Sequence, residues 1–322
     1  MKVLVTGGAG FIGSHLVEKL LEEGHEVWTL DNFFSGKEEF INHLLENKHH
    51  HFIKGSVLDR SILGKVISQT EIIYHLAAVL GVKNTVDNPL MVIEENITGT
   101  KNVLELAFKE RKKVIFASTS EVYGKNENIP FKEDDNRVLG STAVHRWSYS
   151  TSKALDEHLC LAYYKNGLPV TILRYFNAYG PRATATAYGG VIPRFITAAL
   201  NNEPLYVYGT GEQLRCFTYI KDTVEGTYRA MSDKADGMVI NIGNDQMISI
   251  FELAHLIKEL TASKSNIEKI SYEQAYGKGY EDMLTRQPDL SKMRDILNFT
   301  PQVSLKAGLL ETIEWFKTRS DV

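Results

Sequence analysis

Met1-Lys2-Val3-Leu4-Val5-Thr6-Gly7-Gly8-Ala9-Gly10-Phe11-Ile12-Gly13 is the stretch that decides the fold. A short apolar run, Val3 to Val5, leads into glycines at 7, 10 and 13, and Ile12, Leu16, Leu20 and Leu21 then recur on one side of a helix. The pattern reads strand, tight turn, helix. Gly7 permits the sharp turn, Gly10 lets backbone approach a pyrophosphate, and Gly13 lets the helix pack on the strand. The helix N-terminus offers unpaired N–H groups and partial positive charge to phosphates. A second strand, Glu26 to Leu30, ends at Asp31, which lies 18 residues beyond Gly13. An acid at that place suits the ribose diol of NAD and repels the extra phosphate of NADP.

Working outward, 322 residues suffice for one large domain or two that share an interface. Hydrophobic residues make up 43% and charged residues 24%, an ordinary globular balance. A net charge of −4 gives no basic field for nucleic acid or an anionic membrane. Cys160 and Cys216 cannot build a disulfide framework and fit a reducing, cytoplasmic setting. With a strand starting at residue 2, no signal peptide is expected, and no apolar run reaches transmembrane length.

Strand candidates are Val3–Thr6, Glu26–Leu30, His51–Ile53, Ile72–His75, Val114–Ala117 and Val170–Leu173, with helical patterns at Leu90–Lys109 and Tyr149–Tyr164. Alternation of this kind predicts an α/β fold, a doubly wound parallel Rossmann sheet covered on both faces. After Arg174 turn clusters break the regularity, predicting a smaller C-terminal α/β substrate-binding part over the carboxyl ends of the strands. Thr218 to Asn244 reads helix then strand again and is expected to rejoin the sheet. The expected division is a dinucleotide-binding domain over 1–176, with 217–247 returning to it, and a substrate domain made mainly of 177–322.

Tyr149-Ser150-Thr151-Ser152-Lys153 places a phenol and an ammonium four apart, on one helix face. A nearby ammonium stabilises phenolate and is expected to lower the tyrosine pKa toward neutrality. Such a tyrosine can take a hydroxyl proton as hydride leaves the same carbon.

Together these residues resemble the extended short-chain dehydrogenase/reductase family of NAD-dependent epimerases and dehydratases. The glycine turn, His75-Leu76-Ala77-Ala78, Asn96, Ser118-Thr119-Ser120, Tyr149 with Lys153, and Arg174-Tyr175-Phe176-Asn177-Ala178-Tyr179-Gly180-Pro181-Arg182 match in order. The resemblance implies tightly held NAD, a nucleoside-diphosphate sugar as substrate, and a homodimer built from the helices near 90–109 and 149–165. It also implies a cofactor set of Gly7, Gly10, Phe11, Ile12, Gly13, Asp31, Asn32, Leu76, Ala77, Ala78, Asn96, Tyr149 and Lys153. Many members carry an acid where this chain has Ser56, so the adenine contact is expected from Asp59 or from backbone.

Within the family, Ser118-Thr119-Ser120-Glu121 discriminates, because Glu121 adds a carboxyl group where simple 4-epimerases have a small or apolar residue. The tail Tyr276-Gly277-Lys278-Gly279-Tyr280-Glu281-Asp282-Met283-Leu284-Thr285-Arg286 is similar to UDP-glucuronate decarboxylases and UDP-xylose synthases. Further matches are Arg146-Trp147-Ser148-Tyr149, Arg215-Cys216-Phe217-Thr218 and Ile240-Asn241-Ile242-Gly243-Asn244. The resemblance implies that Arg286 reaches the sugar carboxylate with Asp282 nearby, which a planar guanidinium does well. Thr119 is expected near C4 and Ser120 beside it. Glu121 is a candidate to help protonate C5. Arg194 and Arg215 are candidates for the diphosphate, and Asn177 for the phosphate or sugar. The expected reaction is oxidation at C4, loss of carbon dioxide from the resulting β-keto acid, and release of UDP-xylose or a UDP-4-keto-pentose. A nucleotide-sugar 4-epimerase or 4,6-dehydratase is the alternative, and a non-catalytic NAD-binding regulator is a third reading. The run His49-His50-His51 is not expected to hold a metal, because consecutive side chains cannot all face one ion.

Overall fold

The computed structural model describes residues 1–80, 88–184, 190–276 and 283–319. Seven parallel strands form the central sheet: β1 (Lys2–Thr6), β2 (Glu26–Asp31), β3 (His50–Lys54), β4 (Ile72–His75), β5 (Lys113–Thr119), β6 (Val170–Tyr175) and β11 (Val239–Ile242). Their order is β11-β6-β5-β4-β1-β2-β3. That is the doubly wound order with one strand added at an edge, and the winding reverses between β1 and β4. These strands read as apolar runs because helices bury both faces: Val3, Leu4 and Val5 are all fully buried.

Helix α1 (Phe11–Glu22) buries Leu16, Val17 and Leu20 against the sheet, each such side chain contributing about 1.5–3 kcal/mol. It ends where Gly24 turns left-handed at φ +78°, and His25 N–H closes on Leu20 C=O at 3.0 Å. The chain then drops directly into β2. Helix α2 (Arg60–Ile67) follows β3; α3 (Pro89–Glu110) and α4 (Ser148–Lys165) lie side by side on one face.

The remaining strands build smaller sheets: β7 (Ala178–Tyr179) with β10 (Thr218–Tyr219), β8 (Leu205–Tyr208) with β13 (Ile267–Ile270), and β12 (Met247–Ser249) with β9 (Leu214–Cys216) and β14 (Thr285–Arg286). Helices α5 (Val191–Leu200), α7 (Ile250–Leu260) and α10 (Leu305–Lys317) pack around them; α8 (Tyr272–Tyr276) and α9 (Ser291–Leu297) complete the order. The return expected for 218–244 is present: α6 (Ile220–Arg229) packs on α1, and β11 pairs with β6. No described helix is long and apolar enough to cross a membrane. Of the histidine run, His50 Nε2 lies 2.9 Å from Thr29 Oγ1 and His51 Nε2 2.8 Å from Glu26 Oε1.

Candidate active site

The carboxyl ends of β1 to β6 open onto one cleft of about 390 Å³. Among its walls are Gly7, Gly10, Phe11, Ile12, Gly13, Asp31, Asn32, Leu76, Ala77, Ala78, Asn96, Thr119, Tyr149 and Lys153. The glycines are required by space. Gly7 sits at φ +73°, and a Cβ there would come within 2.7 Å of the Ala77 nitrogen. A Cβ on Gly13 would lie 2.1 Å from the Gly7 carbonyl oxygen. The first turn of α1 has no side-chain cap, so its N–H groups remain for an anion. This cradle and the acid at the end of β2 fit a dinucleotide.

Asp31 is buried, and burial pushes its carboxyl pKa upward. Two backbone donors work against that, Phe33 N–H to Oδ1 at 2.8 Å and Ala9 N–H to Oδ2 at 2.9 Å. The acid is thereby fixed to the glycine turn as well as facing the cleft. Asn96 spends both ends of its amide on Val79, accepting from its N–H at 2.8 Å and donating to its C=O at 2.9 Å, which shapes the loop after β4.

Asp59 does not line the cleft. Its Oδ1 accepts from Ser61 N–H at 2.9 Å and Ile62 N–H at 3.1 Å, capping α2. A helix N-terminus with an acid at its first non-helical residue claims that acid locally. Gly55, Ser56, Val57 and Leu58 form that edge of the cleft instead.

Tyr149 and Lys153 share the inward face of α4, and Lys153 is only 2% exposed. Its ammonium stands 4.1 Å from the centre of the Phe116 ring. The phenol is not lowered toward neutrality. Burial first, then the negative charges of Glu121 and Asp156, push it above the ordinary tyrosine value. Burial likewise depresses the lysine, with Asp156 opposing that shift.

Helix α4 is locked to the sheet by Glu157. Arg174 grips it through Nε to Oε1 at 2.9 Å and Nη2 to Oε2 at 2.7 Å, and Ser118 Oγ donates to Oε1 at 2.5 Å. This buried three-way joint ties the Tyr149 helix to β5 and β6.

Beyond Thr119 the chain makes a short helical turn in which Thr119 Oγ1 accepts from Glu121 N–H at 3.2 Å. Glu121 meets Arg146 in a two-point contact, Nη1 to Oε2 at 2.5 Å and Nη2 to Oε1 at 3.1 Å. Arg286, from β14, donates to Ser120 Oγ at 3.3 Å and comes within 4.0 Å of Glu121 Oε1. Burial alone would raise the Glu121 pKa, but Arg146, then Arg286 and Arg215, outweigh it and hold the group below its ordinary value. Glu121 therefore rests as a carboxylate. Arg215 is beside Arg286 by strand register, with Nη1 donating to Leu214 C=O at 2.9 Å.

The strand bearing Arg286 is stitched down by Asn241, whose Nδ2 donates to Phe131 C=O at 2.9 Å and Asp289 C=O at 3.1 Å. Asn177 donates through Nδ2 to Cys216 C=O at 2.8 Å, so that nitrogen holds β9. Arg194 lies on α5, its guanidinium 4.0 Å from the centre of the Tyr208 ring. Asp282 lies outside the described residues. Sequence reading missed the parts played by Arg146, Arg174, Glu157 and Asp156. The last two follow Lys153 at helical spacings of three and four, a signal that was there to be used.

Comparison with known proteins agrees with this geometry. The NAD dependent epimerase/dehydratase family matches residues 3–243. A UDP-N-acetyl-alpha-D-glucosaminuronate decarboxylase from Bacillus cytotoxicus is 50% identical over 316 residues, covering 98% of each chain. UDP-glucuronic acid decarboxylase 1 of Xenopus tropicalis is 37% identical, over 98% of this chain and 72% of that one. Among solved structures, a UDP-glucuronic acid 4-epimerase from Bacillus cereus, in complex with UDP-glucuronic acid and NAD, superposes with a TM-score of 0.89 at 32% identity over 99% of both chains.

Proposed function

The chain belongs to the NAD dependent epimerase/dehydratase family, and we propose that within it this protein decarboxylates a UDP-hexuronate by way of a 4-keto sugar. The observation that carries the reading is Arg286, a buried guanidinium set against Ser120 and Glu121 at the end of β5. The decarboxylases among the relatives, at 50% and 37% identity, support it. UDP-glucuronate and its 2-acetamido counterpart are the two substrates to compare. Residues 177–322 would hold most of the nucleotide sugar, with Arg215, Arg194 and Asn177 toward its phosphates.

NAD, when bound, would supply the acceptor for the C4 hydride. Gly7, Gly10 and Gly13 would admit its pyrophosphate and Asp31 its ribose diol. Tyr149 takes the C4 hydroxyl proton, while Lys153 would hold the ribose and supply positive charge. Thr119 is free to donate its hydroxyl proton toward O4, because its oxygen already accepts from Glu121 N–H. Arg286 orients the sugar carboxylate. Once C4 is a ketone, the C5–carboxyl bond breaks, its electron pair passes into the C4 carbonyl, and carbon dioxide leaves. A proton added at C5 gives the UDP-4-keto-pentose; if the hydride then returned to C4 and the Tyr149 proton to O4, the product would be the UDP-pentose and each turnover would consume one proton. Glu121, held ionised, keeps Arg146 and Arg286 in place.

Incubation with UDP-glucuronate, UDP-N-acetylglucosaminuronate and UDP-glucose, followed by product mass, tests this. Loss of carbon dioxide from a hexuronate supports it. Formation of a 4-epimer with no mass change favours the second reading, which the 0.89 TM-score to a UDP-glucuronic acid 4-epimerase keeps in view.

We also propose a homodimer through α3 and α4. Their outer faces leave Leu90, Phe108, Leu155, Leu161 and Tyr164 exposed, apolar area that a second copy would cover.

A further inference from the structure

Asp156 is completely buried on α4, three residues beyond Lys153 and seven beyond Tyr149. Seven residues are two helical turns, so the three side chains stack along one face, phenol, ammonium and carboxyl, over roughly 10 Å. Lys153 Nζ lies 4.0 Å from Asp156 Oδ2. The Thr100 hydroxyl, from α3, eases ionisation of the carboxyl, yet no well-formed hydrogen bond reaches either oxygen among the described residues. A carboxylate kept from water at that cost needs a partner, and Lys153 is the cation beside it.

We propose that Asp156 is a positioning residue for the Tyr149–Lys153 pair, whose charge anchors the ammonium and sets the pH range in which the phenol can take a proton. This rests on Tyr149 being the base. Other groups around Asp156 do not share the task. Glu157 is gripped by Arg174 and Ser118. Burial, then Asp156, keeps Cys160 a thiol. His75, 3.4 Å from Thr100, is pushed by burial, then by Lys153, down to about 3 and stays neutral. Lys153 and Tyr149 are left to respond. Burial drives the Asp156 carboxyl up to about 7, so its charge appears near neutral pH.

Asp156→Asn keeps the shape and removes the charge. Without it, phenolate forms more easily and the ammonium is lost more easily. Limbs of the kcat/KM profile that lie above about pH 7, where Asp156 is charged in the wild type, should then move toward acid by roughly one unit, the size of one charge acting over such distances. A second readout needs no turnover. A carboxyl whose folded pKa is raised gives stability below its unfolded value and loses it as pH rises through the folded one. The wild type should therefore lose thermal stability relative to Asp156→Asn between about pH 4 and about pH 7. Asp156→Ser serves if the amide variant does not accumulate. Unmoved limbs, with a stability difference that does not change with pH, overturn the proposal. Tyr149→Phe is measured alongside: if it remains active, the reading of the base fails and takes the pH-range part of the proposal with it, whereas an inactive phenylalanine variant with unmoved limbs in Asp156→Asn counts against Asp156 alone.

Discussion

Arg146 holds both carboxylate oxygens of Glu121, and the two residues stand 25 positions apart in the chain. The contact places an ionised carboxylate beside the bend that follows β5, where Thr119 lines the cleft and Ser120 Oγ meets Arg286.

Arg146→Ala should leave Glu121 buried without its clamp. Breaking one side of a buried pair costs about 3–5 kcal/mol, read as a fall in the midpoint of denaturant unfolding. The Glu121 pKa should rise in the variant. In the wild type its lowered pKa gives stability above the ordinary carboxylate value and loses it as pH falls through the folded one. That acid loss should be smaller in the variant.

Arg286→Ala should damage turnover of a UDP-hexuronate far more than binding of UDP. Losing a charged hydrogen-bonded partner costs about 2–3 kcal/mol, or a ~30- to 150-fold effect. Arg286→Lys should rescue only part, because an ammonium lacks the planar fork. Normal release of carbon dioxide by the alanine variant would place the sugar carboxylate elsewhere.

Tyr149→Phe removes the phenol and keeps the ring. Turnover should drop at least ~10²-fold, the scale of lost general acid–base catalysis, with NAD affinity nearly unchanged in a direct binding measurement.

Asp31→Ala should weaken NAD by about tenfold or more, equivalent to about 1.4 kcal/mol, and narrow the preference over NADP. Its carboxylate also ties Ala9 and Phe33. Asp31→Asn, which keeps an acceptor for one of them, should retain more NAD affinity than alanine. Equal binding of both cofactors by the wild type would refute the assignment.

Leu155→Glu together with Leu161→Glu puts two charges on the exposed face of α4. Sedimentation should show a dimer becoming a monomer of 36.3 kDa. A wild type that sediments as a monomer would refute the interface.

What the sequence determined by itself was written in near neighbours. Gly7, Gly10 and Gly13 announce a tight turn, closed to a Cβ at Gly7 and Gly13, apolar runs announce buried parallel strands, and Tyr149 and Lys153 are one helical turn apart. Each is a short-range rule, and the sheet, the cleft and the phenol–ammonium face follow from them. Other matters depended on what the fold brings together and what it shuts away from water. Asp59 lay in the right region to meet a nucleotide, but the start of α2 claimed it as a cap. Glu121 read as an acid until Arg146 and Arg286 arrived from 25 and 165 residues away to hold it ionised. Tyr149 read as acidified by its lysine, yet burial and the anions at either end of its face push it the other way. Charge state is set by dielectric and by through-space neighbours, and these exist only once the chain has closed around them.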